Sequence, residues 1–133
     1  MMYGNDAVDL QMAEHTSATD AQLSLADIIR STEALKDLLR EETSHLKAMN
    51  LKGVHALREE KNRLIRKIEL QKEFARQHPD LVVDRSEQRM TVLQILSHDL
   101  ESVMRENFSE VLKAKEINQR VIEAVSAAVA MHK

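Results

Sequence analysis

Between residues 25 and 49, side chains that suit a packed seam recur at steps of three and four: Leu25, Ile28, Thr32, Leu35, Leu39, Glu42, Leu46, Met49. That spacing keeps one face of a helix against a partner. It predicts a first helix over about 24–48, with Asp20 or Ser24 as its cap. A second row, Val54, Leu57, Lys61, Leu64, Ile68, Gln71, Ala75, predicts a helix over about 51–77 capped by Asn50. His78 and Pro79 end it, because proline disfavours helix in the residue before it. In the connection HPDLVVDRS, Leu81, Val82 and Val83 are expected to fold back over the end of the bundle. Ser86 or Asp84 then caps a third helix over about 86–130. Its seam reads Met90, Leu93, Leu96, Leu100, Val103, Met104, Asn107, Val111, Ala114, Asn118, Val121, Val125, Ala128, with Ile117, Ile122 and Val129 beside it.

Two polar residues interrupt these apolar rows, and they obey a rule. If the chain folds back near Leu51, antiparallel neighbours have position numbers of constant sum. Met49 then faces Val54, Leu46 faces Leu57, Leu39 faces Leu64, Leu35 faces Ile68 and Ile28 faces Ala75, all summing to 103. Thr32 faces Gln71 by the same rule, and Glu42 faces Lys61. The pair Glu42 and Lys61 is therefore expected to fix the register of a helical hairpin, since a slip would strand both charges.

Lengths add a second expectation. The hairpin helices span about 37 Å and the third helix about 67 Å, at 1.5 Å per residue. Starting beside the end of the second helix, the third reaches the turn at Asn50 near Val111 to Ala114 and then projects beyond it, from about 115. The projection carries Ile117, Asn118, Val121, Ile122, Val125 and Val129, with nothing in the hairpin to cover them. An uncovered apolar strip of this kind marks a partner site. The expected class is thus all-α: an antiparallel hairpin plus a longer third helix, forming an elongated three-helix bundle or coiled coil. Residues 1–22, with Gly4 and the run HTSATD, form a flexible N-terminal segment with a short helix at 7–13, and 23–133 form the helical domain.

Composition agrees. Two Gly and one Pro in 133 residues leave too few turns for a β-rich fold, and 2% aromatic content makes the core aliphatic. There is no Cys, so disulfides and thiolate metal sites are excluded. No run reaches the length of a membrane span, and MMYGNDAVDLQMAEH lacks the pattern of a secretory signal; a cytoplasmic location is expected. Net charge is −3, divided unevenly: residues 1–50 carry 4 basic and 9 acidic side chains, and residues 51–76 carry 8 and 4. The two hairpin helices therefore attract one another. The basic run of the second helix is interleaved with Glu59, Glu60, Glu69 and Glu73 and lacks stacking aromatics, which argues against nucleic acid.

Catalytic chemistry finds little support. Glu42-Thr43-Ser44-His45 matches the E-x-x-H of di-iron bundles, but those need two such motifs, and no other His has Glu three positions before it. His55 and Glu59 share a helix face, which ordinary helix pairing explains. No glycine-rich phosphate loop and no nucleophile elbow is present. No catalytic residue, metal or cofactor is assigned, and the chain is expected not to be an enzyme.

Two stretches carry a family resemblance: ALKDLLREETSHLKAMNLKGVHALREEKNRLIRKIE and LSHDLESVMRENFSEVLKAKEINQRVIEAV. The first resembles the leucine-rich hairpin of the FlgN-type flagellar export chaperones, whose second helix centres on L-x-x-x-K-x-x-L, here Leu57, Lys61 and Leu64. The second is similar to that family's long last helix with Asn in its seam, here Asn107 and the run Ile117-Asn118-Gln119-Arg120-Val121-Ile122. Where the family often has a second Asn-Gly, Arg120 and Val121 follow Gln119. The resemblance covers about 25–125. It implies a cytoplasmic chaperone of type III export. Such a protein holds helical terminal segments of hook–filament junction proteins with its C-terminal part and delivers them to the export gate. Ile117, Asn118, Val121, Ile122, Val125 and Val129 would then bind the client, with Asn118 setting its register. A structural coiled-coil adaptor that self-associates through the last helix, or a weak homodimer, uses the same strip.

Overall fold

The computed structural model describes residues 22–131. They form an all-α bundle with one minimal strand pair. The order is β1 (Leu23–Ser24), α1 (Leu25–Lys47), α2 (Leu51–Ala56), α3 (Arg58–Gln77), a single 3-10 turn at Pro79–Leu81, β2 (Val82–Val83) and α4 (Glu87–Met131). The expected segment 1–22, its helix at 7–13 and the cap alternative Asp20 lie outside the described residues, Gln22 excepted.

β1 and β2 are parallel, with Leu23 opposite Val82 and Ser24 opposite Val83. Each strand leads into a helix, so α1 and α4 leave the same end of the molecule side by side. Ser24 serves both junctions. Its Oγ accepts from the Ala26 amide, capping α1, and donates to Asp84 Oδ2 at 2.9 Å. Asp84 thus ties the start of α1 to the start of α4, in a left-handed backbone conformation (φ 62°), while Ser86 caps α4 by accepting from the Arg89 amide.

α1 is the central helix. It packs against both α3, antiparallel to it, and α4, parallel to it. The core is one aliphatic cluster of Leu35, Leu38, Leu39, Leu64 and Val103, with Leu57, Ile65, Ile68 and Leu100 packed onto it. Leu35, Leu39, Leu64 and Ile68 are the residues the constant-sum rule brings together. Thr32 and Gln71 are both buried, but they do not bond to each other: Thr32 Oγ1 donates to the Ile28 carbonyl, and Gln71 Oε1 has no partner among the described residues.

The turn corrects two expectations. Met49 does not face Val54 inside a layer; it is 52% exposed. It takes φ 57° so that its amide reaches the Leu46 carbonyl and the Asn50 amide reaches that of His45. This pair of bonds closes the open end of α1. The helix over 51–77 is also not continuous. Leu57 interrupts it, its amide bonding back three residues to Val54 rather than four. The break lets the short α2 lie close against the end of α1. Gly53 permits that approach, because a Cβ there would stand 2.6 Å from the His45 ring.

Candidate functional site

Three polar residues on three helices meet inside the bundle. Glu42 of α1 is almost fully buried and accepts from Lys61 Nζ of α3 at 3.1 and 3.2 Å. The same carboxylate accepts from Asn107 Nδ2 of α4 at 2.8 Å. Asn107 also donates to Thr43 Oγ1 at 3.1 Å. The Lys61 side chain is 27% exposed, so its desolvation is partial. The pairing of Glu42 with Lys61 follows the register, whereas sequence spacing alone does not identify Asn107 as the third member. A signal is there, since all three interrupt an apolar seam, but which turn of α4 lies beside Glu42 depends on how α1 and α4 start together. His45 is occupied elsewhere: its Nδ1 lies 3.2 Å from Asn50 Nδ2, its Nε2 3.7 Å from Glu41, and its ring lies over Gly53. Glu42 and His45 thus turn to different neighbours. Among the described residues no group of three or more His, Cys, Asp or Glu side chains could hold a metal ion. No described helix is long and apolar enough to cross a membrane.

Past this layer α4 runs alongside the turn. Val111, Ala114, Lys115 and Asn118 form one wall of an open hollow of about 450 Å³, and Leu51 and Val54 of α2 face them. Leu46, Glu42, Lys61, Asn62 and Arg58 complete its lining. From Lys115 to Met131 every residue is exposed, including Ile117, Asn118, Val121, Ile122, Val125 and Val129.

These exposed residues continue the buried seam. Eleven residues make close to three helical turns, and α4 repeats at that interval. Leu96, Asn107, Asn118 and Val129 form one line; Leu100, Val111 and Ile122 a second; Val103, Ala114 and Val125 a third. The members up to Ala114 are buried or half-buried against the bundle, and the later members are bare. One stripe therefore serves two stretches of helix, and among the described residues only the first has its cover. Beside it lies a row that starts at Met104 and continues through Phe108 and Leu112, which the seam spacing does not single out; Phe108 is 62% exposed. Met104, a seam member by spacing, is 49% exposed. Four-residue steps from it drift away from α1 around the helix, and Met104 starts that drift.

Comparison with known proteins finds no family model that matches the chain, and no similar curated protein or solved structure.

Proposed function

We propose that this chain is a cytoplasmic flagellar export chaperone of the FlgN type. It binds helical terminal segments of hook–filament junction proteins and delivers them to the type III export gate. The observation that carries the reading is the continuation of the α4 seam, from Asn118 to Val129, beyond the helices that cover it. A client's amphipathic helix laid on Val121, Ile122 and Val125 completes the layers that α1 and α3 complete nearer the middle. Ordering the client costs conformational entropy, which keeps affinity moderate and lets the client leave without nucleotide hydrolysis. The test is titration of the full chain with the terminal helical segments of hook–filament junction proteins. Val121→Asp with Val125→Asp should abolish binding while the circular dichroism spectrum and unfolding midpoint stay unchanged. Retained binding by the folded double variant would reject the site.

A second reading follows from the make-up of the same strip. Val121, Ile122, Val125 and Val129 are interrupted on the tip by few charges, a composition that suits a second copy. Light scattering across concentrations separates the two. A tight dimer that persists when client segments are added favours a self-associating adaptor.

A further inference from the structure

The hollow at the root of the bare seam is not electrically neutral. Glu42 and Lys61 in its floor neutralise each other, 3.1 Å apart. Arg58 and Lys115, which also line it, make no ion pair among the described residues. The opening is therefore basic beside an apolar surface. Asn118 also lines it, eleven residues after Asn107 on the same line of α4. In the covered part, Asn107 is met by a carboxylate and a hydroxyl from α1, Glu42 and Thr43. Asn118 occupies the corresponding place in the next repeat, with no such acceptor set opposite it among the described residues.

Resting on the reading of the seam as a client site, we propose that the hollow selects an acidic amphipathic helix from another protein. Its apolar row lies on Ala114, Val121 and Val125. A carboxylate at the edge of that row sits between Arg58 and Lys115 and accepts from Asn118, as Glu42 accepts from Asn107. The charge sets which helices dock and how fast they arrive, and the valines supply the buried area. The three polar contacts lie at one end of the strip, so they also fix the direction and register of the docked helix.

Two synthetic amphipathic helices with identical leucine faces test this, one flanked by glutamates and the other by lysines. Each is titrated into the full chain by calorimetry at low and high salt. The glutamate peptide should bind about tenfold more tightly at low salt, and the gap should shrink as salt screens it. In Arg58→Glu with Lys115→Glu, two exposed positions, the preference should vanish or reverse while the unfolding midpoint holds. Equal binding of both peptides, or tighter binding of the lysine peptide, overturns the acidic preference and leaves the client strip standing. Binding of neither peptide, or a concentration-dependent dimer that excludes both, overturns the strip and the preference together.

Discussion

The two parts of α4 have the same kind of seam and different surroundings. Over residues 93–114 its apolar line is met by α1 and the core leucines; over 117–131 every position is exposed. The contrast separates what a helix owes to its own sequence from what it owes to packing. An isolated helix of this length is marginal in water, so the second part depends on the first for its start. The pattern of the seam alone says that a surface is built to be covered. Only the position of the other helices says which stretch of it is still open.

The contrast can be broken most sharply by shaving side chains on both sides. Leu39→Ala and Leu64→Ala remove members of the core cluster and should each cost about 2–5 kcal/mol in urea unfolding. Val125→Ala on the tip should stay within about 0.5 kcal/mol. A loss at Val125 comparable to those in the core would mean that the tip is already covered in the free chain.

A smaller effect belongs to the three-helix polar layer. Glu42→Ala leaves Asn107 without its 2.8 Å acceptor and Lys61 without its partner, at about 1–3 kcal/mol. Replacing Glu42, Lys61 and Asn107 together by leucine should recover most of that loss, because it also removes the cost of burying polar groups. The expected penalty is in uniqueness: the amide spectrum of the triple variant should broaden or double as the register loosens.

The turn offers the next test. Gly→Ala inside a helix is ordinarily stabilising by about 0.5–1 kcal/mol. At Gly53 the new Cβ meets the His45 ring, so Gly53→Ala should destabilise instead, by about 1 kcal/mol. In a His45→Ala background the same change should return to the ordinary sign. Additive effects in the double-mutant cycle would show that the ring has room to move.

The smallest effect is electrostatic and exposed. The Lys47 ammonium, through its hydrogen bond and then its charge, holds the Glu106 carboxyl below the usual glutamate value. The folded value is the lower one, so the contribution is present at neutral pH and is lost as the pH falls through it, below about 4.5. Lys47→Ala should flatten that part of the acid limb of a pH–stability curve and leave the neutral midpoint almost unmoved.

Much of the body is legible in the sequence because it rests on periodicity. Leu35, Leu39, Leu64 and the pair Glu42 and Lys61 all follow from seam spacing and a single fold-back point. What escapes depends on contacts distant in the chain. Two-residue strands carry no pattern of their own; β1 and β2 exist because α1 and α4 start together. Met49 adopts a conformation that usually draws Gly or Asn, so nothing in its type announces it. Leu57 breaks the second helix although it is neither Gly nor Pro, so its type does not announce the break. At the candidate site, Ile117, Asn118, Val121, Ile122, Val125 and Val129 stand out as a strip, because helical spacing extends past the hairpin. The basic hollow at its root does not, since Arg58 and Lys115 belong to different helices and line one hollow only in the folded chain.

Hydrogen exchange read residue by residue along α4 tests the uncovered seam most directly. In the free full chain, amides over 93–107 should be protected to near the global unfolding free energy, and amides over 118–131 should exchange orders of magnitude faster. Adding the terminal helical segment of a hook–filament junction protein should slow the second group selectively. Equal protection of both groups in the free chain, or a tip whose exchange the added segment leaves unchanged, would contradict a bare seam that awaits its helix.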